Sequence, residues 1–227
     1  MISIVIPTYN ESAIISNTLT KLNEITTPQD EIIVVDGSSE DNTRMIAREF
    51  PNVILIISQR GRASQMNAGA KIAKGKYLLF LHADVLIDEK CLSMLKNQIC
   101  GNQIQWGWFT FTLNSPKFIY RLIEMGANLR NRFTGIPLGD HGIFVKRDLF
   151  YRIGGFPEIP IMEDLKFVKK MNVVANGIEI KSPVKISVRR FEHSGIIRTL
   201  SIMWVLKILF YCGVSPERLA KYYRQIR

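Results

Sequence analysis

His82 and Asp84 stand two positions apart in the stretch LLFLHADVLI, directly after an apolar run. Polar side chains delivered to the end of a buried segment are costly unless something pairs with them. Residues two apart on an extended chain project to the same side, so this imidazole and carboxylate can share one ion or one sugar diphosphate. Oxygen donors select Mg²⁺ or Mn²⁺, and an imidazole in the set moves the choice toward Mn²⁺. Asp84 is the better metal ligand; His82 has contact with water or ribose as its alternative.

A second pair of acids, Glu163 and Asp164, follows GGFPEIPIM. Acids that open a helix are favoured by its dipole, which is the purely structural explanation. A carboxylate at the mouth of a second subsite is also suited to deprotonate an acceptor hydroxyl, and two adjacent acids raise one another's pKa. Further polar residues gather at intervals: Pro7, Thr8, Tyr9, Asn10 and Glu11; then Asp36, Gly37 and Ser38; then Arg60, Gly61 and Arg62, with Asn67 close behind. DGSSEDNT makes a good turn and N-cap by itself, but Asp36 can equally accept from a uracil N–H or a ribose hydroxyl. Arg60 and Arg62 are solvated surface charges by default; in a loop beside phosphates they become donors to them. Asn67 either shapes its helix or reaches the nucleotide.

These residues are positioned by a repeating pattern. ISIVI (2–6) and EIIVV (31–35) are short apolar runs stopped by Pro7 and by DGSS, and between them Ile15, Leu19 and Leu22 recur at helical spacing. A crossover of that length implies parallel strands. The unit repeats through SEDNTRMIAREF as helix, VILIIS as strand, RASQMNAGAKIAKG as helix and YLLFL as the fourth strand. Nearly all-apolar strands alternating with helices predict an α/β fold with a mostly parallel twisted sheet covered on both faces. In such sheets ligands bind beyond the carboxyl ends of the strands, and all four polar groups fall there. A carboxylate, an aromatic ring, two guanidinium groups and a metal pair together suit a nucleotide carrying phosphates.

Beyond Asp84 the regularity weakens. The sequence predicts a helix at about 88–99, an aromatic strand in IQWGWFTFTL, a mixed helix around 117–133 and a strand in GIFV. MEDLKFVKKMN reads as a helix, GIEIKSPVKISVRR as late strands and 197–211 as a long apolar helix. Trp106 and Trp108 share a face of their strand; Trp108 can stack on an acceptor, with core packing as the alternative. No repeat or low-complexity linker divides the 227 residues, so one domain is expected: a donor half at 1–87, an acceptor and catalytic half at 88–195, and an amphipathic helical tail at 196–227.

Composition, 47% apolar and 22% charged, is that of a globular chain. The net charge of +10 fits nucleic acid, an anionic membrane surface or a phosphorylated small molecule. Its distribution narrows this: between Lys185 and Arg227 nine basic residues face only Glu192 and Glu217. Cys91, Cys100 and Cys212 form no CxxC pair, and MISIVIP opens as a strand without a signal-peptide pattern, so a reduced, cytoplasmic setting is expected. IIRTLSIMWVLKILFYCGV is interrupted by Arg198 and Lys207, too broken for a spanning helix. It either packs on the domain or lies at the inner face of a membrane with its cations on anionic lipid.

Taken together, SIVIPTYNE, IIVVDGSSEDNT, GRASQMNAGA, LLFLHAD, GGFPEIPIMEDLKFVKKM and RRFE, in that order over about residues 2–192, resemble the family 2 glycosyltransferases of GT-A (Rossmann-like) fold. FLHAD, GDHGIFV and GVSPERLAKYYR extend the resemblance to a compact bacterial subgroup, some of whose members are named for carotenoid or other lipid acceptors. The resemblance implies inverting transfer from a UDP- or GDP-sugar to an acceptor hydroxyl with a divalent cation, Mn²⁺ or Mg²⁺. Asp36 would read the base, and Asp84, with His82 and Ala83 beside it, would meet the metal and diphosphate. Asp164 would be the base, oriented by Glu163, and Asp140 and His141 join Trp108 as acceptor candidates. Two departures matter. His82 replaces the first acid of the DxD triplet, and the Q/RxxRW signature of processive members is absent. RRFE approximates it, with Arg190 at the diphosphate, so non-processive transfer is implied. A nucleotidyltransferase is the enzymatic alternative, though PTYNE replaces the basic Gly-rich loop it needs; a nucleic-acid-binding protein is the non-enzymatic one, opposed by the placement of the basic residues in an apolar tail.

Overall fold

The computed structural model describes residues 1–101 and 104–226. Its first half is the anticipated alternation: β1 (Ile2–Thr8), α1 (Ile15–Ile25), β2 (Glu31–Asp36), α2 (Thr43–Arg48), β3 (Val53–Ile57), α3 (Arg62–Ile72) and β4 (Tyr77–Phe80). β3, β2, β1 and β4 are neighbours in that order and all parallel. Because successive side chains on a strand face opposite ways, Ile4 and Ile6 enter the core under α1 while Val5 enters the core under α3. α3 lies so close that a Cβ on Gly69 would run into Val5 and Val35.

The second half adds β5 (Val85–Leu86), α4 (Glu89–Gly101), β6 (Trp106–Leu113), α5 (Phe118–Thr134), a 3₁₀ turn (Gly139–His141), β7 (Ile143–Lys146), α6 (Arg147–Arg152), α7 (Glu163–Val174) and β8 (Ile178–Ile186). The sheet continues from β4 through β7, β6, β8 and β5. β7 is antiparallel to both β4 and β6, β5 is antiparallel to β8, and β6 with β8 is parallel. The sheet is therefore mostly parallel but mixed. The late segment differs from expectation: IEIKSPVKI forms a single strand that carries an irregularity between Ile180 and Pro183, opposite Phe109 and Thr110, and Arg189 and Arg190 already belong to α8 (Arg189–Ser194).

The tail forms two helices, α9 (Ile196–Tyr211) and α10 (Pro216–Ile226). Leu206, Leu219 and Ala220 pack with Ile161, Met162 and Leu165 in a third apolar cluster, which fixes the tail against the start of α7. Lys166 and Lys169 of α7 add cation–ring contacts to Phe210 and Tyr211, at 5.8 and 4.0 Å. Among the described residues no helix is long and apolar enough to cross a membrane.

Candidate active site

Three loops at the carboxyl edge of the sheet are fastened to one another. The first shell of contacts centres on Gln65 of α3, whose side-chain amide donates to the carbonyls of Thr8 and Val35 at 2.7 and 2.8 Å. Its Oε1 accepts from the Gly61 N–H at 3.3 Å. One buried side chain thus ties together the ends of β1 and β2 and the entry to α3. Sequence reasoning overlooked it, since a glutamine inside RASQMN carries no distinguishing signal.

Asp36 is fully enclosed. Its carboxylate accepts from the Ser39 N–H at 2.8 Å, from the Ser39 hydroxyl at 2.5 Å and from Thr8 Oγ1 at 3.3 Å, with Arg44 Nε at 3.8 Å. Expected to read a base directly, it instead holds the DGSS turn, because at 0% exposure both its oxygens are already engaged. Thr8 supports it, and Pro7 is a buried strand residue. Asn10 caps the same turn by accepting from the Glu40 N–H at 2.9 Å, and Glu11 meets Thr43 through its backbone N–H. Arg60 lies 3.8 Å over the ring of Tyr9 and donates to its hydroxyl at 3.1 Å, forming an exposed edge beside the loop.

Arg62 turns the other way. Its Nε donates to Glu163 Oε1 at 2.7 Å, linking α3 to the first residue of α7 across 101 positions of chain. Burial pulls the guanidinium's pKa down, but Glu163 and Asp164 outweigh it and leave it raised. Glu163 is 2% exposed, and its other oxygen has no hydrogen-bond partner. Burial, reinforced by Asp164, pushes its pKa up despite Arg62. Asp164 accepts from the Gly139 N–H at 2.8 Å through one oxygen and from its own helix at Leu165 N–H through the other.

Gly139 also brings in the opening pair. A Cβ built there would stand 3.0 Å from His82 Nε2 and 3.4 Å from Asp164 Oδ2, so the imidazole and the carboxylate close on the same glycine. Burial, aided by Arg62, holds His82 below its ordinary pKa although Asp84, Asp140 and Asp164 oppose this. The ring is therefore neutral at pH 7 and free to ligate. Ala83 is buried, and its carbonyl accepts from Thr18 at 2.6 Å. Strain marks the same places: the only non-glycine residues with positive φ among those described are Asn10, Ser38 and Met162, at 55°, 64° and 65°. They follow β1, follow β2 and precede Glu163, and such backbone persists only where surrounding contacts enforce it.

Three further site expectations are corrected. Asn67 is occupied on the protein itself, accepting from and donating to the backbone of Phe156 at 2.9 Å each way, and so anchors the GGF turn. Trp108 is 4% exposed and lies against Trp106 in the core, so its face is closed to an acceptor. His141 is buried between Phe111 and Asn131 and supports the turn that presents Asp140. Arg190 is exposed on α8, its guanidinium 5.2 Å from the centre of the Tyr223 ring, and is not drawn into the core.

Among the described residues no group of three or more His, Cys, Asp or Glu side chains is ready to hold a metal. The donor set nonetheless fits a divalent cation of the Mg²⁺ or Mn²⁺ kind, which uses one or two protein ligands and takes the rest from phosphate and water. A neutral His82 and Asp84 supply those two.

A parallel first half and a mixed extension through β7, β6, β8 and β5, flanked by helices, define a GT-A glycosyltransferase architecture. The chain belongs to glycosyl transferase family 2, whose family model matches residues 3–153. It is 29% identical over 188 residues to an uncharacterized glycosyltransferase of Haemophilus influenzae, covering 75% of this chain and 62% of that one. It is 26% identical over 219 residues to the O-antigen chain rhamnosyltransferase WbaN of Salmonella anatum, covering 84% and 66%. The chain thus spans about three fifths of the first relative's length. Among solved structures, the mannosyltransferase PcManGT of Pyrobaculum calidifontis, in complex with GDP-Man and Mn²⁺, superposes with a TM-score of 0.68 at 21% identity, covering 99% of this chain and 69% of that one. TarS of S. aureus, in complex with UDP-GlcNAc, gives 0.66 at 22%, covering 83% and 58%. Family membership displaces the nucleotidyltransferase and nucleic-acid-binding readings.

Proposed function

We propose that this chain is an inverting, non-processive glycosyltransferase that moves a sugar from a UDP- or GDP-sugar to an acceptor hydroxyl, with Asp164 as general base. The observation that carries the proposal is Asp164 itself, partly exposed at the start of α7, held by the Gly139 N–H and facing His82 at the sheet's carboxyl edge. Neighbours bound to UDP-GlcNAc and to GDP-Man support a nucleotide-sugar donor. The donor's base would lie against the Tyr9–Asn10 and Gly37–Ser38 loops that Asp36 keeps in shape, and its diphosphate would draw Arg62 and Arg60.

In transfer, the acceptor oxygen bonds to the anomeric carbon as the bond from that carbon to the phosphate oxygen breaks, inverting the centre; the hydroxyl proton passes to Asp164. A divalent cation on His82 and Asp84 would supply neutralisation of the departing diphosphate. Glu163 positions Arg62. The exposed apolar surface of α9 supports a lipid acceptor, with the chain resting on the inner, cytoplasmic face of a membrane. The test is twofold: UDP or GDP with Mn²⁺ should raise the melting temperature, and Asp164→Asn should lower turnover by at least about a hundredfold while leaving that thermal shift intact. Failure of every nucleoside diphosphate to stabilise the chain would remove the proposal.

A further inference from the structure

The Asp164 carboxylate is held by two backbone N–H groups, those of Gly139 and Leu165, at 2.8 and 2.7 Å. Neither group belongs to the sheet: Gly139 lies in the 3₁₀ turn and Leu165 in the first turn of α7. Both segments rest on the tail. Leu165 and Met162 share the third apolar cluster with Leu206 of α9 and Leu219 of α10, and Leu138, the residue before Gly139, packs against that same cluster. The cluster therefore meets the chain on both sides of the cradle that aims Asp164.

Met162 needs such support. Its φ of 65° is left-handed, and a bulky side chain keeps that backbone only where its surroundings enforce it. The cluster that buries Met162 is completed by the tail's Leu206 and Leu219. α10 is patterned for this contact: in PERLAKYYRQI, Leu219 is 0% exposed and Ala220 beside it is buried, while Glu217, Arg218 and Lys221 are exposed. Among the described residues no member of α10 belongs to either of the two larger clusters, so its apolar ridge serves the start of α7 and not the body of the core.

We propose that the tail is a clamp for the general base, and that Leu219 is a positioning residue which, through Met162 and Leu138, fixes the two segments whose N–H groups aim the Asp164 carboxylate. It acts through backbone placement and not on the substrate. A shift of about 1 Å in a reacting group costs on the order of a hundredfold in rate, so a clamp remote from the chemistry has catalytic weight. That catalytic consequence rests on the glycosyltransferase reading above; the clamp itself does not.

The test uses full-length variants and UDP-GlcNAc or GDP-Man with Mn²⁺, water taking the place of the acceptor: its oxygen bonds to the anomeric carbon, its proton passes to Asp164 and the nucleoside diphosphate leaves. Leu219→Ala should lower kcat for this hydrolysis by roughly ten- to a hundredfold while leaving the dissociation constant of UDP or GDP nearly unchanged. Leu219→Met, which keeps the volume, should recover most of the loss, and Leu219→Val should show the same pattern in smaller measure. Leu95→Ala on α4 removes an equally buried leucine from the first cluster. It should cost stability without that loss of turnover when both chains are assayed well below their melting temperatures. A second readout is independent of turnover: by NMR hydrogen exchange, referenced to the amides of β1, the Gly139 N–H should exchange at least about tenfold faster in Leu219→Ala and be unchanged in Leu95→Ala. Parent-like turnover and Gly139 exchange in Leu219→Ala, an equal loss in Leu95→Ala, or no recovery in Leu219→Met would overturn the proposal. A parent chain that neither hydrolyses these donors nor is stabilised by UDP or GDP would refute the glycosyltransferase reading, and Gly139 exchange would then support or overturn the clamp by itself.

Discussion

At the residue scale, the Arg62–Glu163 pair joins the start of α3 to the start of α7 through a 2.7 Å contact. A charge buried as deeply as Glu163 is expensive when its partner is removed, and under the proposed function the donor's phosphates would compete for that partner. Arg62→Ala should therefore raise the donor dissociation constant by roughly ten- to a hundredfold and also destabilise the fold by ~1–3 kcal/mol. Adding Glu163→Gln should restore stability without restoring donor binding, a double-mutant cycle readable by denaturation and by nucleotide titration. Gly139 is the second such point. A methyl group there would press on both His82 Nε2 and Asp164 Oδ2. Gly139→Ala should lower kcat through Asp164 and weaken the Mn²⁺-dependent affinity for the donor through His82, measured in steady-state and binding experiments side by side.

At the scale of elements, the site depends on how α3, α6 and α7 hold the GGF turn. Asn67 spends both ends of its amide on Phe156, and Phe156 stacks on Phe167 of α7 at 4.0 Å. The turn thereby sets the approach to Met162, the left-handed residue from which the acid pair departs. Asn67→Ala leaves the backbone groups of Phe156 without partners. It should cost about 1–3 kcal/mol, a fall in melting temperature of roughly 2–10 °C by calorimetry. The first four strands, their helices and the acid-led α7 were legible in the sequence, because buried parallel strands and amphipathic helices impose periodicities that need no partner to be read. β5, two residues long, and the replacement of a late strand by α8 were not, because both depend on β8 finding its neighbours. Gln65 and Gly139 were equally silent, since their roles lie entirely in what stands opposite them.

At the scale of the molecule, burial of titrating groups makes stability depend on pH. Burial lowers both His141 and His82, so the unfolded chain takes up their protons first as the pH falls below about 6.5. Their contribution is present above that value and is lost on acidification. Glu163, raised by burial, acts in the opposite sense: it favours the fold below its ordinary value of 4.5 and loses that advantage as the pH rises through its raised one. Between pH 7 and 5.5 acidification makes the two histidines lower the unfolding free energy, while Glu163 opposes that decline. His141→Asn should make that decline shallower in denaturant titrations at a series of pH values. The basic tail belongs to this scale too, since its packing on α7 and its unshared apolar face are properties of one pair of helices seen from two sides.

The sequence by itself determined the parallel half, the placement of its polar residues at the carboxyl ends of the strands, and the residue types able to handle a nucleotide sugar. Those are local properties, fixed by side-chain periodicity and by what each residue can donate, accept or ligate. Only the tertiary structure decided which of these groups meet. It joined Arg62 to Glu163 and His82 to Asp164 around Gly139, withdrew Asn67, Trp108 and His141 into support, and set Lys207 beside Arg130. Such pairings cross a third of the chain or more, and no spacing along a strand or helix encodes them; they follow from how the sheet's two halves and the tail pack to bury apolar surface.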